Sequence, residues 1–151
     1  VEFWRKVWRD GFAPGFSTRG LESLRLALEF DDPRLIQGAT TMPEPVQAML
    51  DWAAEGACAI GFGAWQADGL ETVGELEEHF SRCCFEADCR LGEPAGCRWF
   101  LNWHDEVSRD DFRSELLAEV KRELARRRNV KTKANVLDDE EIWCGPAVVA
   151  A

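Results

Sequence analysis

The chain of 151 residues is 46% hydrophobic and 30% charged, with a formal net charge of −10; that size and mixture suit one globular domain able to bury a core. No apolar run reaches the ~18 residues needed to cross a membrane, and the N-terminal VEFWRKVWRD lacks the uncharged apolar centre of a signal peptide, so a cytoplasmic location is expected. The acidity argues against nucleic acid, whose binding needs cations to displace counterions from phosphate, and favours a basic partner or plain solubility.

Along the chain, Phe3, Trp4, Val7 and Trp8 form an apolar stripe that predicts an amphipathic helix near residues 2–12, broken by Gly11, Pro14 and Gly15. Ser17 or Thr18 can cap a second helix, near 18–30, whose face is Leu21, Leu24, Ala27 and Leu28. TTMPEP reads as loop, and Pro45 as the first residue of a third helix, near 44–55, with Val46, Met49, Leu50 and Ala53 on its buried face. ACAIGFGAW, residues 57–65, is short, apolar and bounded by turn residues, which predicts a buried strand with one face of very small side chains.

Thr72 and Glu75 have capping-box spacing and open a helix expected over 72–91, which Gly92, Pro94 and Gly96 end. Residues 97–104 then read as a second strand, and 108–128 as a last helix with Phe112, Leu116, Leu117, Val120 and Leu124 as its core stripe. The basic segment Lys121–Lys133 suits a helix C-terminus, where cations complement the dipole.

Strand, helix, strand, helix is the order of a parallel βαβ unit. The expected architecture is therefore a helix-rich α/β (or α+β) domain over residues 1–130 with a small sheet. Residues 131–151 are expected to be a flexible or partner-docked tail.

Residues 79–104, HFSRCCFEADCRLGEPAGCRWFLNWH, gather four of the six cysteines and both histidines. Zinc needs four convergent ligands, commonly from CxxC knuckles, and no CxxC is present. At about 100° per residue, Cys83 and Cys84 share the core sector with Leu76, Phe80, Ala87 and Leu91, whereas Cys89 points to solvent. On a strand, Cys97 and His104 would face opposite sides. Reduced, core-packed cysteines are expected, with no metal and no cofactor. His79 and Cys83 are spaced for a thiol–imidazole pair on one helix face, but Cys83 sits where a thiolate would be desolvated. WCGP, residues 143–146, resembles the start of a thioredoxin active site, but Ala147 stands where the resolving cysteine would be.

Ligands in parallel α/β units bind beyond the carboxyl ends of the strands. That rule selects Trp65, Gln66 and Asp68 at the end of the first strand, and Asn102, Trp103, His104 and Asp105 at the end of the second, as a candidate cleft. Trp4 and Trp8 are candidates for docking in a partner's groove. The function expected is a small acidic protein-binding or regulatory domain without catalysis, its partner another protein or a second copy. The alternative is a small enzyme or small-molecule-binding protein that uses the strand-end cleft.

Overall fold

The computed structural model describes residues 2–143, with side chains as far as Ala134. The chain opens with α1 (Phe3–Lys6), continues as a π-helical segment over Val7–Phe12, and closes with a 3-10 turn over Ala13–Gly15. α2 (Thr18–Glu29) follows, capped by the Ser17 hydroxyl, which accepts the Gly20 N–H at 2.9 Å. Both early helices stand where the apolar stripes place them. Leu21, Leu24, Ala27 and Leu28 are the buried face of α2, each large side chain contributing about 1.5–3 kcal/mol by burial.

The predicted sheet is absent in its expected form. The described residues hold only a two-stranded antiparallel ladder, β1 (Thr41–Met42) with β2 (Gly56–Ala57), registered Thr41 to Ala57 and Met42 to Gly56. Most of the expected 57–65 strand is instead α3 (Ala59–Ala67), buried from Ala59 to Ala64. An apolar run buried on all sides carries no period, so the pattern could not separate a strand from a helix. The small residues read as a flat strand face serve helix packing: a Cβ on Gly63 would stand 2.7 Å from the Gly20 carbonyl oxygen of α2.

α4 (Val73–Leu91) has the expected capping box between Thr72 and Glu75 and ends at Gly92, whose φ of 68° is left-handed. The second expected strand, 97–104, is also a helix, α5 (Arg98–Glu106). Its buried residues Phe100 and His104 are four apart, a helical spacing that the density of aromatic side chains disguised. No βαβ unit forms among the described residues, and Cys97, just before α5, and His104, within it, are both buried rather than on opposite faces of a strand.

α6 (Arg109–Trp143) is seated on the body by Phe112, Leu116, Val120 and Leu124. It runs past Arg128, where the apolar pattern is lost, and residues 129–134 of it are exposed. Of the expected tail, residues 144–151, with WCGP from Cys144 onward, lie outside the described residues.

One aromatic cluster joins these helices. Phe100 of α5 contacts Trp4, Trp8 and Phe12, with ring centroids 6.3, 5.5 and 5.3 Å away. Glu119 of α6 is also buried, yet Arg9 reaches it at 2.6 Å and Arg5 at 3.1 Å. Two guanidinium groups thus offset the desolvation of one carboxylate and tie the first helix to the last.

Candidate interaction site

With helices in place of strands, the residues of the expected cleft separate. Trp65 packs edge-on to Phe62 at 5.8 Å with the Arg34 guanidinium 5.5 Å from its ring. Gln66 is exposed in a shallow hollow beside Phe62 and Arg34. Asp68, past the end of α3, accepts the Ser17 hydroxyl at 2.7 Å. Asn102 is exposed on α5, and Trp103 stacks on Trp4 at a centroid distance of 3.6 Å. His104 and Asp105 stand at the opposite end of α3, against Ala59. Nine helical residues separate these two ends, roughly 13 Å.

His104 and Asp105 do form a pair, because consecutive residues of a helix can meet where those of a strand point apart. His104 Nδ1 lies 2.7 Å from Asp105 Oδ1, and His104 Nε2 accepts the Ala59 N–H at 3.2 Å. An amide only donates, so Nε2 is the acceptor and the ring proton sits on Nδ1. Both nitrogens are occupied. The imidazole therefore caps α3 from another helix, while Asp105 also accepts the Gly38 N–H at 3.0 Å. Hydrogen bonding from His104 holds the Asp105 carboxyl below its ordinary range.

Cys58 shares with this pair a cavity of about 160 Å3, lined also by Thr40, Phe80 and Leu101. Burial pushes the Cys58 thiol up to about 12 despite the backbone N–H groups of Gly61 and Ile60, so the cavity holds a thiol rather than a nucleophilic thiolate.

The other cysteine–histidine pair fares no better. His79 Nε2 is 3.3 Å from Cys83 Sγ, but Arg82 lies 3.2 Å from His79 Nδ1. Arginine can only donate, which makes Nδ1 an acceptor and turns Nε2–H towards the sulfur. In that tautomer the imidazole cannot take the thiol proton, and burial raises the Cys83 thiol to about 11. The five described cysteines are free, and no cluster of metal-ligating side chains exists among the described residues.

Trp4 and Trp8 are both buried in the aromatic cluster, so their indoles are spent on the chain's own core. The exposed aromatic pair at this end is Phe3 stacked on Trp99, with centroids 5.1 Å apart.

The largest departure from expectation concerns residues 43–55. Instead of a helix with a buried face, this stretch is a loop of turns, and the expected face of Val46, Met49, Leu50 and Ala53 is exposed, as is Trp52 beside it. Val46 is 88% exposed, Met49 65%, Leu50 61% and Trp52 51%. Glu44 is also a poor cap for the expected helix, since its preferred caps are short polar side chains.

The backbone of the loop is nonetheless held on two sides. At its neck the β1–β2 ladder closes, and the Glu55 N–H donates to Met42 O at 2.6 Å. The buried Thr41 hydroxyl stands 2.9 Å from Glu77 Oε1, linking the neck to α4. Along its far side, Ala54 donates to Glu71 O, Val73 to Trp52 O and Gly74 to Leu50 O, at 2.9, 2.9 and 2.8 Å. These bonds replace the i→i−4 bonds of the predicted helix. An open groove of about 700 Å3 runs beside the loop, lined by Ile36, Met42, Pro43 and Gln47 and by the charged Asp31, Glu44 and Arg109.

Grouped exposed apolar side chains on anchored backbone are characteristic of contact surfaces. Sequence reasoning missed them because the same residues suit a buried helix face. No helix among the described residues is long and apolar enough to cross a membrane. Compared with family models, curated proteins and solved structures, the chain matches none of them.

Proposed function

We propose that the protein is a non-enzymatic docking domain and that the 43–55 loop is its contact surface for another protein. The observation that carries this reading is the outward display of Val46, Met49, Leu50 and Trp52 on a backbone hydrogen-bonded at its neck and along α4. A loop already held in place loses little conformational entropy on binding, so more of the apolar burial appears as affinity. Methionine adds a surface that adapts to its partner. Against catalysis stand the fully engaged His104 ring, the protonated Cys58 thiol and the tautomer of His79.

A photo-crosslinking amino acid at Val46, with the exposed Arg19 as control site, tests the reading in cells. A discrete adduct at Val46 alone is expected, and the purified partner should bind wild type but not the Leu50→Asp variant. Equal adducts at both sites, or unchanged binding by that variant, would overturn it.

A further inference from the structure

The charges around the loop identify the kind of partner it fits. Between Arg34 and Arg82 the chain contains no lysine or arginine but eight acidic residues. Glu44, Asp51 and Glu55 of the loop and the neighbouring Glu71 are exposed. Every ion pair among the described residues lies outside this stretch, so none of these carboxylates is ion-paired. Glu119 and Glu123 of α6, by contrast, are each held by two arginines. Four apolar side chains thus stand among unpaired carboxylates, with Arg109 as the cation lining the adjoining groove.

Resting on the docking role of this loop, we infer that its occupant is a basic amphipathic segment of a foreign protein. The segment's apolar face covers Val46, Met49, Leu50 and Trp52, and its lysines or arginines meet Glu44, Asp51 and Glu55. A neutral apolar partner would leave those carboxylates desolvated and unpaired at the rim, and an acidic one would be repelled. A helix with apolar residues three and four apart can present both features at once. Steering by the acidic field accelerates encounter and makes binding sensitive to salt.

A fluorescent amphipathic leucine–lysine peptide of about 18 residues, long enough to sustain a helix, is the probe. Its controls are a scrambled peptide of the same composition and a leucine–glutamate counterpart. The leucine–lysine peptide should bind about tenfold more tightly than either control, a difference of about 1.4 kcal/mol. It should weaken about tenfold or more between roughly 50 and 500 mM salt. Both Val46→Ser/Leu50→Ser and Glu44→Gln/Asp51→Asn/Glu55→Gln should lose that binding while keeping the wild-type melting temperature, since all five side chains are exposed.

Equal affinity for the leucine–glutamate peptide, or full binding by the charge-neutralised variant, would overturn the inference. Light scattering that shows a dimer dissolved by the same substitutions would place a second copy on the loop, and would overturn it too. If the cross-linked partner still depends on Val46 and Leu50 while the leucine–lysine peptide does not bind, the basic character fails and the docking loop stands. If neither ligand responds to those substitutions, the docking reading fails as well.

Discussion

The Gly74 N–H donates to the Leu50 carbonyl at 2.8 Å, and a Cβ at Gly74 would lie 2.9 Å from that oxygen. The first turn of α4 and the outer loop therefore approach as closely as they do because residue 74 has no side chain. The obstacle to a larger residue is backbone, which cannot rotate aside.

Gly74→Ala should consequently destabilise, although alanine is the better helix former by about 1 kcal/mol. Overpacking costs about 1–3 kcal/mol, so a net loss of about 1 kcal/mol is expected. Hydrogen exchange locates it: the amides of Ala54, Val73 and residue 74 should lose protection, with those of α2 unchanged. Equal loss across the chain would mean that the contact is not local to the loop.

Removing the charge at Glu119 leaves Arg5 and Arg9 facing each other without their carboxylate. Glu119→Gln should cost about 3 kcal/mol, the low end for a broken buried pair, because both arginines are partly exposed and can rehydrate. Burial raises the Glu119 carboxyl, but hydrogen bonds and charge from Arg9 and Arg5 outweigh it and leave the group below its ordinary value. Glu123, similarly buried, is held low by Arg126 and Arg127. A carboxyl depressed in the folded state stabilises above its unfolded value and loses that contribution as pH falls through the folded one. The urea midpoint should therefore fall as pH drops below about 4, and less steeply in Glu119→Gln. A midpoint that rises on acidification would contradict the pairing.

His104→Ala would open a cavity against Phe112, whose ring centroid is 4.9 Å away, and strip the Ala59 N–H of its acceptor. A lost buried acceptor and the emptied volume together should cost about 3 kcal/mol. In denaturant unfolding, Asp105→Asn should cost less, since Asp105 is half exposed. The reverse order would make the carboxylate, not the imidazole, the chief fastening of α5.

Thiol accessibility offers a probe of packing. Cys89 is exposed, Cys83 and Cys84 are partly buried, and Cys58 and Cys97 are buried. Iodoacetamide followed by peptide mass mapping should label Cys89 first among these five. Cys58 and Cys97 should react only at the rate of unfolding, because burial raises both thiols, Cys97 to about 11. Early labelling of Cys58 would place an open path to the cavity beside His104.

Much of the helical framework was legible in short stretches. The capping box at Thr72 and Glu75, the Ser17 cap and the stripe from Phe112 to Leu124 are local statements, made by hydrogen bonds and side chains within a few turns. The docking loop was not. Val46, Met49 and Leu50 have a spacing suited to a buried helix face, and only the long-range bonds from Ala54, Val73 and Gly74 decide that this face is never built.

What the sequence by itself determined is the position of the self-capped helices, the solvent exposure of Cys89 and the acidity of the surface, since each depends on neighbours along the chain. Only the tertiary structure decided that 59–67 and 98–106 are helices, that His104 meets Asp105, and that Trp4 turns inward while Val46 turns out. Buried apolar runs take whichever hydrogen-bond partners the surrounding elements leave them, and those partners lie dozens of residues away: Gly63 packs on Gly20, and Ala59 bonds to His104.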